Sequence, residues 1–303
     1  MNIIFGPIHS RRFGKSLGVD LSPSSKQCNF DCLYCELDPA KTVGAYDEVL
    51  GVDVIVGAIV EALAVHEDID VITFTANGEP TLYPHLATLM DEVEKINGDT
   101  KTLILSNAGL IDEVGVQDAL MKFDEVKLSL DCASQKCLQK LDRSHDGIDV
   151  ENIKAGMLAF KARYTKPLVI EILIVANLND NSEEIAKLNA YLLKLQPTRI
   201  DMGTIDRPPA FDVKPVSYER LLEISHLFDA SLPLYIASRK KAESRAESYS
   251  EEEIIQTLSK RPLTYEDIEA LFDEKSQERL KNLLKKERIK EVNTNSMVFL
   301  KKF

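Results

Sequence analysis

Apolar runs and amphipathic segments alternate along the chain from residue 17 to about residue 236. The apolar runs are short, as buried strands are, whereas the longer segments carry apolar residues at helical spacing. This alternation predicts a parallel sheet with right-handed crossovers. The predicted strands cover residues 17–21, 71–76, 102–106, 126–131, 168–175 and 200–205, and the predicted helices cover residues 54–66, 84–96, 114–123, 150–164 and 182–195.

About six strand–helix units predict an α/β protein with a partial (β/α)6 barrel, since a closed barrel of this kind uses eight. The strands also predict a polar barrel interior, because side chains alternate between the two faces of a strand. Lys127, Ser129 and Asp131 share one face of their strand, and Glu171 lies opposite two isoleucines. An interior packed only for stability would be apolar. We therefore expect a ligand cavity, in which Glu171 either contacts the ligand or forms a structural ion pair.

A small second domain is predicted at the C-terminal end. The charged, serine-containing stretch over residues 238–250 is typical of a linker. Beyond it the pattern predicts helices over residues 250–258, 264–272 and 276–286 and strands over 289–292 and 297–301 around a turn. Ser250 with Glu253 and Thr264 with Asp267 have the spacing of capping boxes. We expect a barrel over residues 1–237, a linker over 238–250, and a winged-helix-like domain over 251–303.

The composition is that of an ordinary globular protein, with 44% hydrophobic and 28% charged residues. The net charge of −12 argues against a protein that coats nucleic acid through bulk charge, but it is compatible with a local basic site. The sequence shows no signal-peptide pattern and no apolar stretch long enough for a membrane span. These features predict a cytoplasmic protein without a membrane partner.

Three of the five cysteines lie within eight residues, in the order Cys28-Asn-Phe-Asp-Cys32-Leu-Tyr-Cys35. Closely spaced thiolates hold iron–sulfur clusters, and a cubane held by three cysteines leaves one iron open for another ligand. A structural zinc site is the alternative, but it needs four ligands, and no histidine stands at zinc-finger spacing. The spacing favours a [4Fe–4S] cluster. The loop follows the first predicted parallel strand, at the barrel end where active sites form.

A second motif, Asn77-Gly78-Glu79-Pro80, follows the next predicted strand. Glycine lets the backbone approach a ligand closely, a carboxylate accepts hydrogen bonds from an ammonium group, and proline fixes a turn. Two further polar pairs occupy corresponding positions on the following strands, and each either contacts a ligand or caps the chain locally. They are Ser106 with Asn107 and Ser129 with Asp131.

The spacing CxxxCxxC, with Tyr34 as the aromatic residue before the last cysteine, resembles the signature of the radical S-adenosylmethionine (SAM) superfamily. Asn77-Gly78-Glu79-Pro80 resembles that family's Gly-Gly-Glu-Pro segment, with Asn77 where a glycine often stands. The resemblance implies that SAM chelates the open iron of a [4Fe–4S] cluster through its amino and carboxylate groups. Reductive cleavage of SAM then yields a 5′-deoxyadenosyl radical that abstracts a hydrogen atom from the substrate. The protein supplies geometry and shielding for this cofactor chemistry.

The resemblance also assigns roles to individual residues. It implies Cys28, Cys32 and Cys35 as the ligands of the cluster. The SAM contacts that it implies are Tyr34, Asn77, Gly78, Glu79, Pro80, Ser106, Asn107, Ser129 and Asp131. An external electron donor of the flavodoxin or ferredoxin type is expected.

The stretch over residues 5–20, Lys127-Leu-Ser-Leu-Asp131 and residues 204–209 resemble the wyosine-type tRNA-modifying branch and its uncharacterised prokaryotic relatives. The resemblance covers about residues 1–235. This sequence departs from the wyosine synthases in one respect that bears on the reaction. Those enzymes carry a second cluster on additional N-terminal cysteines, whereas no cysteine precedes Cys28 in this sequence. The two other thiols, Cys132 and Cys137, are too few to hold a second [4Fe–4S] cluster by themselves. We expect them to be ordinary cysteines, with contact between Cys132 and substrate as the alternative.

The leading hypothesis is an enzyme that cleaves SAM reductively and modifies a substrate, with tRNA as the candidate. Seven basic residues in or beside the third C-terminal helix favour a nucleic-acid partner, although such modules also serve as protein contacts or lids. The alternatives are a peptide- or small-molecule-modifying enzyme and a non-enzymatic, metal-sensing regulator that binds nucleic acid. The first often has a cysteine-rich C-terminal extension, which is missing here. Gly78-Glu79-Pro80 and the polar strand faces argue against the second.

Overall fold

The computed structural model describes residues 3–10, 13–236, 246, 248–260, 262–294 and 297–303. The larger unit of the protein is built around one sheet, in which strands β1 to β8 lie side by side in chain order. β1 is antiparallel to β2, and the strands from β2 to β8 are parallel. The strands are β1 (Ile4–Ser10), β2 (Gly14–Asp20), β3 (Val71–Thr75), β4 (Lys101–Ser106), β5 (Glu125–Ser129), β6 (Leu168–Ile174), β7 (Arg199–Thr204) and β8 (Leu234–Ile236).

Helices connect the parallel strands, as the alternating pattern predicts. They are α1 (Val52–Val65), α2 (Leu86–Val93), α3 (Val114–Leu120), α4 (Gln135–Leu141), α5 (Val150–Arg163), α6 (Ser182–Leu195) and α7 (Tyr218–Ser225). The α/β prediction is confirmed, and since β1 and β8 do not pair with each other within the described sheet, the barrel is partial. No helix in the described ranges has the length and apolar character needed to cross a membrane.

The predicted number of six strands is wrong, because the sheet has two more, one at each edge. β1 contains Gly6 and Pro7, and its register with β2 shifts between Phe5 and Ile8, so its sequence shows no regular alternation. β8 has only three residues. Edge strands of these two kinds leave little periodic signal.

The barrel interior is polar, as the strand faces predict. Val126, Leu128 and the isoleucines of β6 are buried in the hydrophobic core. On the inner face the ammonium group of Lys127 forms an ion pair with Glu171 and lies 3.9 Å from a carboxylate oxygen of Asp201. Lys127 and Asp201 are both buried, whereas Glu171 is partly exposed. Of the two roles expected for Glu171, the structure shows the ion pair.

Residues 248–303 form a second unit with a separate hydrophobic core. Strand β11 lies between β10 and β9 in an antiparallel sheet. Both capping boxes are confirmed, since Ser250 Oγ accepts from Glu253 N at 3.2 Å and Thr264 Oγ1 accepts from Asp267 N at 3.1 Å. The elements are α8 (Glu251–Lys260), β9 (Leu263–Thr264), α9 (Tyr265–Leu271), α10 (Glu274–Lys285), β10 (Ile289–Thr294) and β11 (Met297–Lys302).

The second unit contacts the barrel through Tyr249 and Lys301, among other residues. Tyr249, at the end of the predicted linker, packs in the C-terminal core, and its hydroxyl donates to the carbonyl of Pro7. Lys301 Nζ donates to the carbonyl of Glu36 at 3.3 Å and lies 3.7 Å from the carboxylate of Asp38. The C-terminal unit therefore touches the chain directly after Cys35. Residue 237 of the predicted barrel, residues 238–245 and 247 of the predicted linker, and residues 295–296 of the predicted turn lie outside the described residues.

Candidate active site

The three clustered cysteines lie on the loop after β2, at the carboxyl end of the parallel strands. Cys28, Cys32 and Cys35 are free and partly buried. The Cys28 sulfur accepts from Phe30 N at 3.4 Å and from the Asn107 side-chain amide at 3.7 Å. Asn107, predicted as a SAM contact at the end of β4, therefore reaches the first cysteine of the loop.

A backbone clamp joins the cysteine loop to the end of β3. Gln27 N donates to Asn77 O at 2.9 Å, and Glu79 N donates to Gln27 O at 3.0 Å. Between them Gly78 has a φ of +139°, and a Cβ there would stand 1.8 Å from Gln27 O. The glycine is required because two backbone segments of the protein meet here, whereas the sequence suggested close approach to a ligand.

Gln27 is a site residue that sequence reasoning missed. Its side-chain oxygen accepts from Asp47 N at 2.7 Å and Glu48 N at 3.1 Å, and its amide donates to Ser22 Oγ at 2.8 Å. This buried side chain thus fixes the residue directly before Cys28. A glutamine beside a cysteine carries no sequence signal of its own, because its partners lie up to about twenty residues along the chain.

The carboxylate of Glu79 is buried and accepts four hydrogen bonds from the protein. Thr81 donates through its backbone N–H at 2.9 Å and its hydroxyl at 2.7 Å, Ser106 Oγ donates at 2.7 Å, and Asn107 N donates at 2.7 Å. Burial raises the pKa of Glu79, and these donors oppose the rise. Pro80 begins a short 3-10 helix over Pro80–Leu82. Glu79 therefore ties β3 to β4, and its contact with the SAM amino group stays a prediction.

Replacing Glu79 with glutamine is expected to destabilise the folded chain by about 1–3 kcal/mol, because an amide nitrogen would face at least one backbone N–H donor and leave it unpaired. The denaturation midpoint of the full chain would report this loss. Glu92→Gln is the matched control, since Glu92 forms only an exposed ion pair with Lys95 and should shift stability by less than about 0.5 kcal/mol. Equal midpoints for the two variants would contradict the four-bond arrangement.

Tyr34 and two buried aspartates form a cluster beside Cys32. The Tyr34 hydroxyl donates to Asp131, whose other oxygen accepts from Leu173 N at 2.7 Å. Burial raises the pKa of Asp131 to about 7, and burial together with the charge of Asp131 raises the pKa of Asp142 well above its usual range. These residues line a pocket together with Phe30, Asn107, Ser129, Leu130, Cys132, Leu138, Val150 and Ile153. The structure therefore brings four predicted residues, Tyr34, Asn107, Ser129 and Asp131, into one pocket.

The thiols and two unsatisfied atoms fit a bound metal cluster and its ligand. Burial raises the pKa of Cys28 to about 12 and raises those of Cys32 and Cys35, so a metal must supply the positive charge that keeps them as thiolates. Four buried side-chain atoms of the described residues lack a hydrogen-bond partner, and two of them, Asn29 Nδ2 and Asp142 Oδ1, belong to residues in or beside the cysteine loop. Such atoms are rare in folded proteins and often mark a binding site. Asp142 was not predicted, since it follows a short helix without a motif.

Ser106 is placed differently from the other predicted residues. Its buried hydroxyl donates to Glu79 and accepts from Ala108 N at 3.0 Å. Both interactions are internal to the protein. The structure thus gives Ser106 a supporting position beneath the pocket.

The remaining two cysteines do not behave as expected. Cys132 and Cys137 form a disulfide with a Cα–Cα distance of 5.4 Å, which is ordinary for such a bond. Both are buried in the hydrophobic core, as ordinary cysteines are, but their pairing was not expected; the chain turns back between β5 and α4 and brings the two residues together. All five cysteines of the sequence are thereby accounted for as three free thiols and one disulfide.

Comparison with known proteins agrees with this geometry. The model of the Radical SAM superfamily matches residues 22–188. The chain belongs to this superfamily and is therefore an enzyme with a [4Fe–4S] cluster and SAM as cofactors and a need for an external electron donor. It is 40% identical over 301 residues to a UPF0026 protein of Helicobacter pylori strain 26695, covering 98% of this chain and 96% of that protein. UPF0026 protein MJ1312 of Methanocaldococcus jannaschii is 33% identical over 235 residues, with coverages of 76% and 72%.

Solved structures share the fold. A radical SAM methyltransferase from Sphaerobacter thermophilus matches with a TM-score of 0.57 and 15% identity, covering 73% of this chain and 66% of that one. Streptococcus suis SuiB bound to S-adenosylmethionine matches with a TM-score of 0.54 and 19% identity, covering 73% and 51%. The chain thus spans less than two thirds of either protein. Archaeal TYW1 also matches, with a TM-score of 0.47 and 17% identity, covering 70% of each chain.

Proposed function

We propose that Cys28, Cys32 and Cys35 hold the [4Fe–4S] cluster and that the enzyme cleaves SAM reductively to modify a substrate through a 5′-deoxyadenosyl radical. The observation that carries this proposal is the loop of three free thiols, clamped to the ends of β3 and β4 beside a pocket lined by both polar and apolar side chains. The two other cysteines are bonded to each other, which leaves three thiols for the metal. When bound, the cluster supplies the electron that breaks the carbon–sulfur bond of SAM.

The protein's own residues would set the geometry. The clamp between Gln27 and Gly78 holds the first cysteine, and the side-chain amide of Asn107 donates to the Cys28 sulfur. Hydrogen bonds to cluster sulfurs and burial are levers that tune reduction potential. We assign Asn107 to this role, and Asn29 supports it by accepting a hydrogen bond from the Asn107 amide at 2.7 Å.

The pocket wall would bind SAM. Asp142 Oδ1 is an unpaired buried acceptor, and a ribose hydroxyl would satisfy it. Tyr34, Ser129 and Asp131 line the same pocket and complete this contact. Asn77, Gly78, Glu79 and Pro80 are assigned to the side facing the amino group of SAM, with Ser106 as support beneath Glu79.

Anaerobic reconstitution with iron and sulfide tests the proposal. We expect a brown protein with four irons per chain that dithionite reduces and that releases 5′-deoxyadenosine from SAM. Binding of zinc without an iron chromophore would instead support the metal-sensing regulator. A reconstituted cluster that fails to cleave SAM would also contradict the proposal. The natural donor is expected to be a flavodoxin or ferredoxin.

For the substrate we propose tRNA. The C-terminal unit, with three helices and a small antiparallel sheet, has the make-up of a winged-helix domain, and it contacts the chain directly after Cys35. Lys281 and Lys285 are exposed on α10 and could bind phosphate groups.

The tRNA proposal is tested by comparing modified nucleosides in tRNA from cells with and without the gene. We expect one modified nucleoside to disappear and to return when the intact gene is restored. Restoration with a Cys32→Ala gene is the matched control and should not return it. An unchanged nucleoside profile would contradict tRNA and favour a peptide or small-molecule substrate.

A further inference from the structure

The disulfide lies on the wall of the proposed reaction pocket. Cys132 directly follows Asp131 and lines the pocket with it, and Cys137 lies in the first turn of α4. The two residues are 1% and 8% exposed, so Cys137 is the more accessible half. The disulfide therefore lies beside the pocket in which we propose that SAM binds.

The bond is not needed to hold the turn that it closes. The carboxylate of Glu184 accepts from Ala133 N at 2.5 Å, from Ser134 N at 2.8 Å and from Ser134 Oγ at 2.6 Å. Ser134 also caps α4. Since this carboxylate already fixes the turn, and a loop of so few residues gains little from a crosslink, a purely stabilising role explains the disulfide poorly.

Helix α4 connects the disulfide to the cysteine loop. At its far end, the carbonyl of Leu141 accepts from Leu33 N at 2.9 Å and that of Asp142 accepts from Asp31 N at 3.0 Å. Both donors lie between Cys28 and Cys35. Leu141 lies four residues after Cys137, so about one helical turn separates the sulfur–sulfur bond from the contact with the backbone that carries the proposed cluster ligands.

We propose that Cys132 and Cys137 form a reversible redox site, whose disulfide stiffens α4 against the cysteine loop and whose dithiol form loosens it. The co-reactant is a small dithiol or a dithiol protein. The redox chemistry of the two cysteines is independent of the proposed function. The effect of this chemistry on catalysis rests on the proposed function, because it requires that the cysteine loop holds the cluster.

The exchange is balanced. A thiolate of the reductant attacks Cys137 Sγ, the sulfur–sulfur bond breaks, and Cys132 leaves as a thiolate that takes up a proton. The second thiolate of the reductant displaces Cys137, which is protonated in turn. Two electrons and two protons reach the protein, and the reductant becomes a disulfide.

The first test titrates the full chain with its cluster in buffers of oxidised and reduced dithiothreitol, followed by alkylation and mass spectrometry of the peptide that holds both cysteines. We expect a reversible two-electron transition that is lost in Cys132→Ser and in Cys137→Ser. Thiols that stay free in the oxidising buffer, or a bond that resists native reduction, would overturn the proposal. So would one zinc ion held by Cys132, Cys137 and Glu184, whose ligand atoms lie within 4.8 Å of one another.

The second test measures hydrogen exchange in the two redox states. We expect faster exchange at residues 31–33 and in α4 after reduction, and reduced-like exchange in the double serine variant under both conditions. Identical exchange in both states would overturn the coupling to the loop. If no cluster forms, alkylation and mass spectrometry still measure the redox state of Cys132 and Cys137. Failure of the proposed function can therefore be distinguished from failure of the redox site.

Discussion

Replacing Cys32 with alanine is expected to reduce the release of 5′-deoxyadenosine from SAM to the rate measured without enzyme. Cys32 is the middle thiol of a loop that has no fourth cysteine to replace it. A cubane with only two protein thiolates is underfilled, so we expect loss of iron as well as of activity. Iron content and product release after anaerobic reconstitution measure both effects.

Two controls separate ligand loss from misfolding. The helical circular dichroism of Cys32→Ala should match that of the parent chain, because the thiol is only partly buried and the clamp at Gln27 and Gly78 does not involve it. Asp38→Ala changes a highly exposed side chain three residues after Cys35 and should keep its iron. Turnover by Cys32→Ala above the background rate would refute the assignment of this ligand.

Replacing Gly78 with alanine is expected to disrupt the clamp on the cysteine loop. The backbone conformation costs a non-glycine residue on the order of 1–3 kcal/mol, and the new Cβ would also overlap Gln27 O, at 1.8 Å. Since the overlapping atom is backbone, the loop before Cys28 must move. We expect a lower unfolding temperature and reduced iron retention, measured on the same reconstituted samples.

Gly147→Ala is the matched control for Gly78→Ala. Gly147 has a φ of +89°, but a Cβ there meets nothing within 4 Å. This variant should show the cost of the backbone conformation alone and retain its iron. If both variants retained iron equally, the contact between Gly78 and Gln27 would not be what positions the cysteine loop.

Much of the fold could be predicted because its signals are local. The helix over residues 182–195 and the capping boxes at Ser250 and Thr264 depend on side chains within a few positions of one another, and the structure has them as expected. The strands β1 and β8 could not be predicted, because an irregular register and a length of three residues remove the alternation that identifies a strand.

In the candidate site, too, the residues that belong to local motifs could be predicted and the contacts across the fold could not. Cys28 and Glu79 belong to motifs, so their positions could be inferred, and Asn107 and Asp131 followed from the ends of their strands. What the motifs could not provide are contacts made across the fold. Asp142 reaches the pocket from a helix end, and the Cys132–Cys137 bond depends on a turn whose shape is set by a carboxylate about fifty residues later.

The order of the strands in the sheet has a consequence for biosynthesis. Each strand from β2 onward pairs with the one made just before it, but a helical crossover lies between them, so each pairing must wait until one strand–helix unit has been made. The bonds that fix Gln27, Glu79 and Asn107 all lie within the first 109 residues. The clamp before Cys28 can therefore form early on the ribosome, whereas the rest of the cysteine loop acquires its partners later, since Leu33 N bonds the carbonyl of Leu141 and Ala210 N bonds the carbonyl of Cys35.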